Sequence, residues 1–177
     1  MEEQDLSIAV IGGGCFWCVE AVYERIEGIE SAVSGYAGGT TPNPSYKEVT
    51  TGRTGHAEVV KLTFDPQKVS YREILDLFFK AHDPTTLNRQ GADMGTQYRS
   101  IILYANEAER RTAEEAKAAA QSHWENPIVT EIAPLENFYE AEGYHQDYYD
   151  SNPYAGYCTF VIQPKLRKLG LKWQSIK

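Results

Sequence analysis

The chain is short of most features that mark a specialised class. No apolar run approaches the roughly 20 residues that a membrane-crossing helix needs. No segment repeats, and no Gly-, Ser- or Pro-rich linker divides the 177 residues, so a single domain over 1–177 with one core is expected. Positive charge is scarce: 17 Lys and Arg against 25 Asp and Glu leave a formal charge of -8. A surface that negative repels phosphate backbones and anionic lipid, which argues against nucleic-acid and membrane-surface partners. The opening Met1-Glu2-Glu3-Gln4-Asp5 is acidic where a secretory signal is basic. The three cysteines are too few, and odd in number, for a secreted disulfide scaffold. These absences point to a cytoplasmic protein whose thiols serve catalysis, redox exchange or metal binding. With 42% hydrophobic and 24% charged residues, the composition is that of a globular domain.

What is present alternates strand and helix. Leu6–Ile11 reads as a short apolar strand, broken by Gly12-Gly13-Gly14 before a helical spacing over Phe16–Ile26. Further strands are expected over Ile29–Tyr36, His56–Phe64, Ser100–Ala105 and Ile128–Ala133. Ser70 and Glu73 form a capping-box pair before a helix to Ala81, and Asn106 caps a helix to about Ser122. Residues 40–54 read as a loop, and 83–97 as a connection long enough to suggest function. From about 139 the texture changes: six of the twelve tyrosines lie between Tyr139 and Tyr157, followed by Cys158 and a basic tail, as expected of an irregular segment wrapping the core. This pattern favours a two-layer α+β sandwich, with a doubly wound α/β sheet as the rival.

Cys15 stands at the expected strand-to-helix turn, where unsatisfied backbone N–H groups and the positive helix end stabilise thiolate. It is therefore expected to be a low-pKa nucleophile rather than a small buried apolar residue. Nucleotide binding does not fit, because Trp17 occupies the place of the third glycine of a dinucleotide fingerprint and no Gly-Lys-Ser/Thr follows. Cys15 and Cys18 have dithiol spacing, but no second ligand pair completes a zinc site, and His56, His82, His123 and His145 show no ligand spacing, so neither metal nor cofactor is expected. Taken alone, Glu58 suits a solvent-facing strand charge, and a tyrosine suits core or rim.

Several blocks in fixed order change that balance: Gly14-Cys15-Phe16-Trp17, Ser34-Gly35-Tyr36-Ala37-Gly38-Gly39, Pro44-Ser45-Tyr46, Thr54-Gly55-His56-Ala57-Glu58, His82-Asp83-Pro84-Thr85, Arg89-Gln90-Gly91-Ala92-Asp93, Gly95-Thr96-Gln97-Tyr98-Arg99-Ser100 and Tyr144-His145-Gln146-Asp147-Tyr148. Over residues 7 to about 160 the sequence resembles the A-type peptide methionine sulfoxide reductases. The resemblance implies an α+β fold with a mixed sheet and a ferredoxin-like core, and reduction of the S epimer of methionine sulfoxide, free or in proteins, with electrons from thioredoxin. It implies Cys15 as nucleophile, Phe16 and Trp17 as the apolar cradle of the substrate methyl, and Tyr46, Glu58 and Tyr98 around the sulfoxide oxygen with Asp93 in the same network. Cys158 corresponds to the family's C-terminal resolving cysteine. The chain departs from the family in having Cys18 where many members carry glycine, and in lacking a Gly-rich tail with a further cysteine.

The chemistry then asks for a proton on the sulfoxide oxygen as Cys15 attacks sulfur, supplied by a Glu58 that burial keeps protonated. The sulfenic acid left on Cys15 would condense with Cys158, or with Cys18 as partner or relay. A monomer is expected. Two other functions fit the residues less fully: a general dithiol oxidoreductase using Cys15 and Cys18, which leaves Tyr46, Glu58 and Tyr98 without a role, and a non-enzymatic binder of methionine-rich segments.

Overall fold

A computed structural model describes residues 5–152, 154–157 and 161–170. Cys158 and the basic tail from 171 onward lie outside the described residues. The chain runs β1 (Ser7–Gly12), α1 (Phe16–Tyr23), β2 (Ile29–Ala37), α2 (Tyr46–Thr50), β3 (Ala57–Phe64), α3 (Tyr71–Ala81), β4 (Arg89–Gln90), β5 (Asp93–Met94), β6 (Ile101–Tyr104), α4 (Glu107–Ala120), β7 (Glu131–Pro134), β8 (Phe138–Glu140), α5 (Tyr148–Ser151) and α6 (Gln163–Lys168). Six strands form one sheet in the order β7-β6-β1-β3-β2-β8, and β4 with β5 makes a separate hairpin. Within the large sheet β6 and β7 pair in parallel and the other neighbours are antiparallel, so the sheet is mixed. The units β1-α1-β2 and β3-α3-β6, with β6-β1-β3-β2 side by side, reproduce the ferredoxin-like double crossover.

Side chains alternate between the faces of the sheet. Ala9 and Ile11 of β1, Val60, Leu62 and Phe64 of β3, and Ile102 of β6 face the helices. There they meet Val19 and Val22 of α1, Leu75, Phe78 and Phe79 of α3, and Ala113 and Ala116 of α4. On the other face Val10, Ala57, Val59, Ile101 and Leu103 form a smaller cluster covered by Leu135 and Phe138. Burying each of these large aliphatic or aromatic side chains is worth about 1.5–3 kcal/mol, so the helix face carries most of the apolar driving force. The doubly wound rival is thereby excluded: the helices pack on one face.

Two expectations are corrected. Residues 40–54 are not all loop, because Ser45 Oγ accepts from Glu48 N while Glu48 Oε1 accepts from Ser45 N, the reciprocal bonds that nucleate the short helix α2. The stretch 83–97 folds back as the β4–β5 hairpin followed by a 3-10 turn at Thr96–Tyr98. In addition β8 joins β2 at the sheet edge, with Tyr36 opposite Tyr139.

Candidate active site

Cys15, the expected nucleophile, is presented by the β1–α1 turn. Gly14 has φ +88, and its amide donates to Tyr98 O at 3.1 Å. A Cβ on Gly13 would lie 2.8 Å from the His82 ring. His82 is fixed in turn by Phe78 O at 2.6 Å and Ser100 Oγ at 2.7 Å. This packing leaves Cys15 as the N-cap of α1 in extended conformation, its carbonyl accepting from Cys18 N at 3.1 Å.

Cys15 is nearly buried, with 8% exposure. The sequence expectation of a low thiol pKa is corrected here. The backbone N–H of Trp17 does favour the thiolate, but burial and the neighbouring Glu58 outweigh it and push the Cys15 thiol well above its ordinary value. In the free protein Cys15 is a thiol.

Glu58 shares the helix-facing side of β3 with Val60 and Leu62, so it enters the interior at the level where α1 begins. It is 1% exposed. Oε1 accepts from Phe16 N at 3.1 Å, while Oε2 is buried and has no hydrogen-bond partner among the described residues. Burial raises its pKa to about 8, against the lowering effects of the Phe16 N–H and the Cys15 thiol. The carboxyl is therefore protonated at neutral pH, as the chemistry asks.

The two tyrosines converge on the same point. Burial first, then the charge of Glu58, raises Tyr46 to about 12 and shifts Tyr98 in the same direction. Both hydroxyls thus remain donors. Tyr46 is placed by α2, whose first amide, Tyr46 N, donates to Glu142 Oε2 at 3.0 Å, while Glu142 Oε1 accepts from Tyr36 Oη at 2.9 Å. Tyr98 is held by the 3-10 turn after the hairpin. Asp93, on β5, accepts from Tyr157 Oη at 2.8 Å. That hydroxyl also lies 3.5 Å from Cys18 Sγ, and since its proton goes to Asp93, the Cys18 thiol is the donor in this contact. Cys18 is buried with a raised pKa, desolvation again dominating.

Phe16 is fully buried, against Tyr36 at 5.7 Å and His145 at 5.1 Å, and so belongs to the core beneath the site rather than to its surface. Trp17 is half-buried and carries the open side: it stacks on Tyr148 at 3.7 Å and 10°, and meets the edge of Tyr157 at 5.6 Å. The structure therefore brings Cys15, Tyr46, Glu58, Asp93 and Tyr98 close enough to act on one another's charge, with Trp17 and Cys18 following Cys15 on α1. Sequence reasoning gave no role to Glu142, His145, Tyr148 or Tyr157. The signals available were the Tyr144–Tyr148 block and the density of tyrosine. His56 keeps its structural reading, accepting from Gly39 N at Nδ1 and contacting Thr41 O at Nε2.

A small proton-sharing group lies beside the pocket. Carboxylate oxygens of Glu20, Glu24 and Asp147 fall within 4.8 Å of one another. Burial raises Glu20 to about 7 and Glu24 to about 10, the latter also through hydrogen bonding to Asp147.

The model of the peptide methionine sulfoxide reductase family matches residues 7–176. The chain belongs to that family. A peptide methionine sulfoxide reductase MsrA from Saccharolobus solfataricus is 57% identical over 163 residues, covering 92% of each chain. The reduced form of Mxr1 from Saccharomyces cerevisiae superposes with a TM-score of 0.83 at 39% identity, over 89% of this chain and 91% of that one. Mxr1 in complex with Trx2 matches with a TM-score of 0.60 at 27% identity, over 83% and 87%. The chain is an enzyme that reduces methionine sulfoxide, and no helix among the described residues is long and apolar enough to cross a membrane.

Proposed function

We propose that this reductase acts on the S epimer of methionine sulfoxide, free or in proteins, through Cys15 as nucleophile and Glu58 as the acid. The observation that carries this reading is the Glu58 carboxyl. One oxygen is fixed by Phe16 N and the other is buried, unpartnered and protonated at neutral pH, beside the Cys15 thiol. Substrate oxygen is the missing acceptor. As Cys15 sulfur attacks the sulfoxide sulfur, Glu58 delivers its proton to the departing oxygen and takes up the thiol proton, so the carboxyl ends as it began. Tyr46 and Tyr98 add hydrogen bonds that strengthen as charge develops on that oxygen. The sulfur–sulfur bond formed in the attack then breaks as the protonated oxygen passes to the Cys15 sulfur, leaving sulfenic acid there and releasing methionine with the electron pair: sulfur of the substrate is reduced and sulfur of Cys15 oxidised. Trp17 seats the methyl opposite the polar cluster, and the R epimer would set methyl against phenols and carboxyl, which accounts for chirality.

The sulfenic acid then condenses with a second thiol, releasing water. Cys158 follows Tyr157 directly in sequence, and Tyr157 is anchored to Asp93 beside Cys18, which supports Cys158 as the resolving thiol and Cys18 as relay. Reduction of that disulfide by thioredoxin is supported by the complex of the related yeast Mxr1 with Trx2. Three cysteines, too few and odd in number for a secreted disulfide scaffold, suit the reducing cytoplasm, where the reductase works as a monomer in repair of oxidised proteins. One catalytic domain spans 1–177, and its segment from about 139 brings the resolving cysteine.

Cys15→Ser and Cys158→Ser, with mass-spectrometric mapping of the oxidised enzyme, test the assignment. Cys15→Ser is expected to form no methionine, and wild type to trap a Cys15–Cys158 disulfide. Sulfoxide reduction by Cys15→Ser would overturn the nucleophile, and full multi-turnover by Cys158→Ser with a Cys15–Cys18 disulfide would reverse the resolving order.

A further inference from the structure

The nitrogen of the Trp17 indole is held by the C-terminal segment, 128 residues away. Nε1 donates to His145 Nδ1 at 3.1 Å. An indole N–H only donates, so Nδ1 carries no proton and the single imidazole proton sits on Nε2. The ring is 1% exposed. Its neighbours are Tyr144 at 4.1 Å, Tyr46 at 4.4 Å, Phe16 at 5.1 Å and Trp17 at 5.6 Å between centroids. Nε2 is buried without a hydrogen-bond partner among the described residues, so the one bond that orients the ring is the one to Trp17.

We propose that His145 is a positioning residue for sulfoxide reduction: its neutral form aims the Trp17 indole at the substrate methyl, and protonation at Nδ1 ends that hold. The inference rests on Trp17 as the methyl cradle and extends that reading to what sets the cradle's orientation. Protonation places one N–H against another, and the 3.1 Å contact turns from attraction to repulsion. The groups facing the ring are Phe16 and Trp17 from α1, Tyr46 from α2, and Glu142 and Tyr144 from its own segment. Glu142 favours the imidazolium, but its oxygens are engaged by Tyr36 and Tyr46 and burial prevails, keeping the ring below the usual histidine range. Neutral His145 is thus the working form at pH 7, and the hold is lost on the acid side. Because the cradle grips the methyl before and during attack alike, its loss appears in KM more than in kcat.

The test measures KM and kcat for free methionine S-sulfoxide from about pH 5 to about pH 8, in wild type, His145→Asn and His145→Phe. The Trp17 indole N–H resonance, assigned with Trp17→Phe, is followed over the same range. In wild type KM is expected to rise several-fold toward acid, the indole resonance losing its hydrogen-bonded shift in step. His145→Asn, with an acceptor oxygen near the place of Nδ1 and no titration, is expected to show a flat KM. His145→Phe is expected to raise KM roughly tenfold at every pH, the order that one hydrogen bond commands. An indole resonance unmoved where KM changes, an acid-side KM rise retained in His145→Asn, or a wild-type KM in His145→Phe would each overturn the proposal. Should His145→Phe fail to fold, the wild-type titration and His145→Asn decide alone. Trp17→Ala with a wild-type KM would instead remove the cradle, a failure of the underlying reading that the indole titration separates from the first.

Discussion

The two walls of the pocket are built differently. Cys15, Glu58 and Tyr46 stand on or at the ends of regular elements, where strand alternation and helix caps dictate direction. The opposite wall, within 142–157, is made of short helical turns, Gly143–His145 and α5, and is tied to the sheet by a side chain bonded to backbone. Gln146 shows how: its Nε2 donates to Ser34 O at 2.9 Å and Ala141 O at 3.0 Å, and its Oε1 accepts from Ser34 N at 2.9 Å. A side-chain amide extends the edge of β2 as a further strand's peptide would. The reacting groups therefore sit on the rigid wall, and the groups that shape the pocket and lead to Cys158 sit on the wall most easily detached.

The largest effect that sharpens this contrast belongs to the rigid wall. Glu58→Gln keeps an acceptor for Phe16 N but cannot give a proton, so kcat should fall about 10²- to 10⁴-fold, the range for general acids. In wild type the rate should decline as pH passes about 8, where Glu58 ionises, and that decline should vanish in the variant. An unchanged alkaline profile removes Glu58 as the acid.

Next comes the joint between the walls. Gln146→Ala leaves Ser34 N–H and Ala141 O without the partner it supplies, while Ser34 O keeps Ala141 N, and should cost about 1–3 kcal/mol of stability in urea unfolding. It should also raise proteolytic cleavage within 142–157 before the sheet opens. Equal protection of both walls would erase the contrast. Tyr98→Phe removes one donor to the substrate oxygen, and a roughly tenfold loss in kcat/KM is expected without loss of stability.

The smallest effect concerns Glu20, which donates nothing to catalysis but stands where α1 meets Asp147. Its pKa is raised to about 7 in the folded state. Below the unfolded value near 4.5 both states hold the proton and no penalty exists. As pH rises to about 7 the folded protein keeps a proton that the unfolded chain releases, so stability declines. Glu20→Gln should remove part of that decline, raising Tm relative to wild type by about 2–6 °C at pH 8 and by little at pH 5. A difference independent of pH would contradict the proton-sharing group.

The same contrast explains what the sequence could show. Ser70 with Glu73 and Asn106 announce their helices because capping is local, β1 announces itself as an apolar run because both its faces are covered, and β3 announces itself by alternation. Ser45 and Glu48 carry the same capping signal, but Pro42, Pro44 and Gly52 and the absence of a helical period make the stretch read as loop. The strand β8 is three residues long and exists through its pairing with β2, which no local pattern encodes. Within the site, residue identity and spacing point to Cys15, whereas Glu58 taken alone reads as a solvent-facing strand charge and is singled out only by the family resemblance. The raised thiol pKa could not be foreseen, since it arises from burial under a carboxyl 43 positions away in the chain. His145 looked unremarkable for a like reason: its role comes from an indole on α1.

The central claim is that Cys15 takes the oxygen from one epimer and passes the oxidation to a second thiol. One equivalent of racemic methionine sulfoxide, mixed with reduced enzyme without added reductant, tests it by counting free thiols and resolving the epimers. Two thiols lost for each methionine formed, with the R epimer left over, is the predicted result. Methionine formed without thiol loss, or both epimers consumed alike, would contradict it.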